Sequence, residues 1–130
     1  MKSRHLLLDT HAFLWWLDDN PRLGQRTRSL IANAENVVYI SAASMLEIAI
    51  KKRIGKLNAP DQLTSCLEDE GFSPLSITPY HAELSGLLPM IHKDPFDRLL
   101  VAQAQAEGLE LISIDAVFPR YQVRLVNAGE

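Results

Sequence analysis

Three short apolar runs, Leu6-Leu7-Leu8, Val37-Val38-Tyr39-Ile40 and Leu111-Ile112-Ser113-Ile114, are separated by long stretches of helical pattern. Strands with so few polar positions are buried on both faces, and helices between them supply both the cover and the parallel crossovers. The alternation restricts the chain to an α/β fold around a parallel sheet. Caps and breakers mark the remaining elements. Helices are expected after Asp9 to about Leu17, and over Gly24–Ala34, Ala43–Ile54, Pro60–Glu70, Pro79–Leu87 and Pro95–Glu107. Gly55, Gly71 and Gly108 stand where three of these should stop. Two further strands are expected: Phe72–Ile77, which Pro74 confines to an edge or a terminus, and Gln122–Val126. No repeat or linker interrupts the pattern, so residues 1–130 are read as one domain.

Composition narrows the function. The net charge is −3, which argues against a passive, uniformly basic nucleic-acid-binding module more than against a nuclease. Cys66 is the one cysteine, so an intramolecular disulfide and a cysteine-built zinc site are both excluded. A reducing cytoplasm is the expected compartment. Lys2 and Arg4 precede an apolar stretch from Leu6 to Leu17, but Asp9 and His11 interrupt it and Asp18-Asp19-Asn20-Pro21 follows. That stretch is read as a buried strand and helix rather than a leader. No run approaches the roughly 20 apolar residues of a membrane span.

Four acids fall where an open parallel sheet presents its ligand-binding edge, at the carboxyl ends of strands and the first turns of helices. Asp9 ends the first strand, Glu47 follows the second within a turn or two, Asp97 opens the helix before the fourth, and Asp115 ends the fourth. Each also fits a structural role. Asp9 suits a helix cap, Ser44-Met45-Leu46-Glu47 matches a capping box, Glu47 is one turn from Lys51, and Asp115 suits a loop. Asp94-Pro95-Phe96-Asp97 reads as cap, first-turn proline and dipole-complementing acid, with Asp94 the cap. Asp97, however, heads an apolar stripe with Leu100, Val101 and Ala104. An acid on an inward face needs a partner. Clustered carboxylates repel unless protonated or neutralised by a cation, and an all-oxygen ligand set suits Mg²⁺ or Mn²⁺. Metal-assisted phosphodiester hydrolysis is the matching chemistry.

The ordered motifs Leu6-Leu7-Leu8-Asp9-Thr10-His11, Ser41 with Glu47, the run from His92 through Asp-Pro-Phe-Asp-Arg-Leu-Leu to Ala104, and Ile112-Ser113-Ile114-Asp115 resemble those of PIN domains. More narrowly, the chain is similar over nearly its whole length to VapC-type toxins of type II toxin–antitoxin systems. The resemblance implies a three-layer α/β/α sandwich with a central parallel sheet and Mg²⁺- or Mn²⁺-dependent endoribonuclease activity. It also implies an RNA substrate, inhibition by a cognate antitoxin, and a homodimer. The family's acids fall on Asp9, Glu47, Asp97 and Asp115, and its supporting hydroxyls on Thr10 and Ser41. His92 and Asp94 recur in one branch and stay outside the catalytic set.

Other features divide between two roles. Lys51-Lys52-Arg53 with Lys56 forms either an RNA-phosphate patch or the solvated face of a helix. Arg98 is either an ion-pair partner of Asp97 or a contact to the scissile phosphate. The helix carrying Trp15 and Trp16 is apolar nearly all round, so those rings belong either to the core or to an antitoxin-binding surface. A haloacid-dehalogenase-like phosphotransfer site is rejected, because His11 stands where its second Asp is needed. A receiver-like site lacks its acidic pair and its lysine. A DNA-directed nuclease and a non-catalytic PIN-like binding module remain as alternatives.

Overall fold

The central strand β1 (His5–Leu8) carries three consecutive leucines, Leu6, Leu7 and Leu8, each without solvent exposure. Such a strand needs neighbours on both edges and cover on both faces, and the computed structural model, which describes residues 3–130, supplies them. Lys2, part of the basic start weighed above, lies outside the described residues. Along the chain follow α1 (Thr10–Leu17), α2 (Gln25–Ala32), β2 (Val37–Ser41), α3 (Ala42–Arg53), α4 (Leu63–Glu70), β3 (Ser73–Leu75), α5 (Pro79–Leu87), α6 (Pro95–Glu107), β4 (Glu110–Ser113) and β5 (Arg124–Asn127). The strands form one sheet in the order β3-β2-β1-β4-β5, and every neighbouring pair is parallel.

Successive side chains on a strand point to opposite faces. Leu6 and Leu8 therefore join one core with Phe13, Trp15, Ile31, Ile48 and Leu67 from α1 to α4. Leu7 joins the other, with Leu100, Val101 and Ala104 of α6 and the partly buried Leu84 of α5. The result is the expected three-layer α/β/α sandwich around a parallel sheet.

Local chemistry sets the helix ends. Asp9 caps α1, Ser41 caps α3, and Thr78 with His81 forms a capping box ahead of Pro79. Asp94 caps α6 through the Phe96 and Asp97 amides, as the Asp-Pro pattern implies. Gly71 and Gly108 end α4 and α6 with φ of +72° and +66°, left-handed values that glycine adopts without strain. Several expected boundaries shift by a residue or more: α2 is Gln25–Ala32, β3 is Ser73–Leu75 and β5 is Arg124–Asn127. The helix expected from Pro60 starts at Leu63, after Gln62 takes the left-handed conformation (φ +54°). A 3-10 turn at Phe118–Arg120, not anticipated, carries the buried Phe118 ring into the second core.

Trp15 is buried and Trp16 packs against Phe72 with ring centroids 6.1 Å apart. Both rings belong to the first core. The all-round apolar character of α1 is met by the sheet on one side and by Phe72 on another.

Because the two leucine faces are sealed separately, Leu7→Ala and Leu8→Ala should each destabilise the fold by about 2–5 kcal/mol in denaturant titration. A cost well under 1 kcal/mol for either would mean that its face of the sheet is not covered.

Candidate active site

Asp9 sits just beyond β1, where its backbone N–H still bonds the Ile112 carbonyl (3.0 Å) and its Oδ1 accepts from the Ala12 N–H (2.8 Å). The capping role and the edge position are the same placement. Burial pushes its carboxyl above the usual range; the Ser113 hydroxyl and the Ala12 amide pull it back, and the charge of Asp115 adds a smaller push upward.

Glu47 projects from the second turn of α3 and is buried, with both oxygens engaged. Thr10 Oγ1 donates to its Oε1 at 2.7 Å and is itself 3.0 Å from Ser44 Oγ. Lys51 Nζ meets its Oε2 at 2.6 Å. The hydrogen bond to Glu47 raises the Lys51 ammonium, to which the charges of Asp94 and Asp97 also contribute. The Glu47–Lys51 pair expected from helical spacing thus exists and faces the acids.

Asp97 lies in the first turn of α6. Its carboxyl is pushed up to about 7, first by burial and then by Asp94, with Glu47 and Asp9 adding to the push and His92 opposing it. Asp115 stands two residues past the end of β4, which stops at Ser113 rather than running to Ile114. It is the most open of the four acids, its Oδ1 accepting from the Val117 N–H at 2.9 Å.

His92 joins the last two. Its Nε2 is 2.9 Å from Asp97 Oδ2 and 3.7 Å from Asp115 Oδ2. One donor atom from each of His92, Asp97 and Asp115 lies within 4.8 Å of the other two, a spacing one cation can span. Asp9 and Glu47 are outside this tight group, though their charges reach Asp97. Two carboxylates, one of them unusually avid for a proton, form a donor set that fits a divalent ion.

Three expectations divide here. Thr10 does support an acid, Glu47. Ser41 does not reach the cluster: its hydroxyl accepts from the Ala43 N–H and donates to Gln103 Oε1 at 2.5 Å, tying α3 to α6. Arg98 serves neither Asp97 nor an open phosphate position. It is buried, and its guanidinium donates to the carbonyls of Ser85 (2.6 Å), Leu88 (3.0 Å), Pro89 (2.9 Å) and His92 (3.1 Å). One helical residue from Asp97, it points about 100° away around α6 and shapes the segment that carries His92. His92, kept outside the catalytic set on sequence although it recurs in one branch of the resembling family, is brought against Asp97 and Asp115 by that segment.

An α/β/α sandwich whose acids gather beyond the carboxyl ends of β1 and β4 defines the class of protein. The sequence matches the PIN domain over residues 6–123, and the chain belongs to that family. It is similar to ribonuclease VapC22 of Mycobacterium tuberculosis (strain ATCC 25618 / H37Rv), 29% identical over 113 residues, 85% of this chain and 86% of that protein. Ribonuclease VapC16 of the same strain is 39% identical over 70 residues, 48% of this chain and 50% of the relative, so that match spans half the length of VapC16. In fold the chain is similar to a toxin–antitoxin complex from Klebsiella pneumoniae, with a TM-score of 0.63 at 22% identity, covering 95% of this chain and 97% of that one.

Asp97's folded value of about 7 exceeds the roughly 3.9 of an unfolded aspartate, so the native state holds the proton more tightly. Its stabilising contribution is complete below about pH 4 and is lost as pH rises through 7. In chelator, the melting temperature of Asp97→Asn relative to wild type should therefore climb between pH 4 and pH 8, turning positive near neutrality. A difference that stays flat or negative across this range would show that Asp97 is an ordinary first-turn acid.

Proposed function

We propose that this chain is a metal-dependent endoribonuclease, the toxin of a type II toxin–antitoxin pair, acting through Asp9, Glu47, Asp97 and Asp115. The observation that carries the reading is that donor atoms of Asp97, Asp115 and His92 lie within 4.8 Å of one another, with Asp9 and Glu47 acting electrostatically on Asp97. The ribonuclease relatives support the choice of RNA. Asp97 and Asp115 would hold Mg²⁺ or Mn²⁺, with Asp9 and Glu47 completing the acidic edge. A divalent ion bound there supplies Lewis acidity to the phosphoryl oxygen, a more acidic water and charge for the leaving alkoxide.

The protein's own groups do the rest. Thr10 and Lys51 hold the Glu47 carboxylate in one orientation, and the Ala12 amide does the same for Asp9. Lys51, 43% exposed beside the acids, offers an entering phosphate a positive charge that offsets their repulsion. Lys52 of the same basic run is paired with the exposed Asp61 instead.

Purified protein should cleave RNA with Mg²⁺ or Mn²⁺ and not with EDTA. Asp9→Asn, Glu47→Gln and Asp97→Asn should each lower the rate by more than about 100-fold, the upper end of what losing a residue that merely orients a ligand costs. Wild-type rates in any variant would remove that residue from the site. Preferential cleavage of DNA, or RNA binding without cleavage, would favour the two competing functions.

The partner in this reading is a cognate antitoxin, with homodimerisation and a cytoplasmic setting. No helix among the described residues is long and apolar enough to cross a membrane. Leu46 and Ile50 of α3 and Ile54 at its C-cap recur every four residues and are 52%, 45% and 58% exposed, an apolar stripe of the kind a partner segment covers. Leu87 and Met90, each 76% exposed, are apolar side chains that a second copy of the chain would cover. On co-purification with the product of the adjacent gene, Ile50→Asp should weaken the complex at least about tenfold while leaving the free chain's melting temperature within a few degrees. Undiminished affinity would place the antitoxin elsewhere.

A further inference from the structure

We propose that His92 is a direct ligand of the ion at this edge, through Nε2, and that the chain consequently selects Mn²⁺ over Mg²⁺. The inference rests on the ribonuclease reading only in placing a divalent ion between Asp97 and Asp115.

The spacing is that of ligands on one ion. Metal–ligand bonds of about 2.1 Å in an octahedron set adjacent donors about 3 Å apart. His92 Nε2 lies 2.9 Å from one carboxylate oxygen and 3.7 Å from the other. The imidazole is also held in place from several directions. Its backbone N–H donates to the Tyr121 hydroxyl at 2.8 Å, its carbonyl accepts from Arg98, and its ring lies 6.3 Å from that of Phe118. A buried arginine spent on four carbonyls to shape this segment is a large structural investment for a surface histidine. It is well matched to presenting a ligand in fixed orientation.

The Asp94 N–H stands 3.3 Å from Nδ1, longer than the usual hydrogen bond, so Nε2 is the ring nitrogen aimed at the carboxylates. In the competing arrangement Nε2 only hydrogen-bonds Asp97, and the ion meets oxygen alone.

A nitrogen donor changes the preferred ion. Mg²⁺ favours oxygen and water, whereas first-row transition ions gain more from a nitrogen donor, and Mn²⁺ among them also suits a site rich in carboxylates. A pair of carboxylates with one imidazole is a set of that kind.

The test is pulsed electron paramagnetic resonance on the full chain loaded with Mn²⁺ alone. A directly bound ¹⁴N coupling is expected, converted to ¹⁵N when histidine is supplied ¹⁵N-labelled, and lost in His92→Gln. His11→Gln is the control, because His11 lies close enough to Asp9 to act on its charge, and it should keep the signal. Calorimetric titration should show the Mn²⁺-over-Mg²⁺ preference falling about tenfold or more in His92→Gln. The labelling arm needs no mutation, so a variant that misfolds leaves the result readable. Absence of histidine coupling in wild type, or its persistence in His92→Gln, overturns the assignment. RNA cleavage without that coupling overturns the ligand and leaves the ribonuclease; coupling without cleavage of RNA does the reverse. Failure of Mn²⁺ to bind at all overturns both.

Discussion

Everything in this structure follows from a strand that has no solvent-facing side. Leu6, Leu7 and Leu8 are fully buried in alternation on two faces, so helices must lie above and below the sheet and every connection must cross over. Crossovers in a parallel sheet bring strand ends and helix starts together along one edge. There the apolar strand gives out, and the unpaired amides of the helix starts draw acidic caps. Asp9 is the plainest case: one carboxylate satisfies the α1 amide and is left buried beside the Ser113 hydroxyl. Structural need and chemical opportunity coincide in the same atom.

That coincidence stores free energy in the site. Burial and mutual repulsion act against Asp97 more than any cap requires, which is why its proton is held to about pH 7. The scaffold tolerates the excess negative charge by distributing counterweights. Lys51 neutralises Glu47, His92 lies against Asp97, and Arg98 takes no carboxylate at all. Had Arg98 turned toward Asp97, the acid would be stably paired and of little use to an incoming cation. Its diversion onto backbone carbonyls keeps the acid under tension.

The layers, the strand order's parallel sense and most helix ends were legible in the sequence, because they depend on local signals: leucine runs, Asp-Pro, and glycines at helix ends. Boundaries failed where the determinant was conformational rather than compositional, as at Gln62, whose left-handed backbone delays α4. Pairings between distant residues were beyond reach. The resemblance to PIN domains implies that Ser41 is a supporting hydroxyl, yet its hydroxyl bonds Gln103, sixty-two positions on. On sequence the tryptophans of α1 favour the core but also suit a surface, and Phe72, from another crossover, is what Trp16 packs against.

His92 lies against two of the four acids, a contact that the reading of the motifs did not include. Its approach depends on a loop whose shape comes from four carbonyls converging on Arg98 and a tyrosine hydroxyl from the turn before β5. None of these contacts has a spacing that a linear motif can express. Asp94, two residues away, is spent on capping, while His92 reaches both Asp97 and Asp115. The residue at the centre of the donor group is therefore the one whose placement is least local. The acids are placed by strand ends and helix starts, but the histidine between two of them is placed by the loop, and Arg98 is the side chain that fixes that loop to α6.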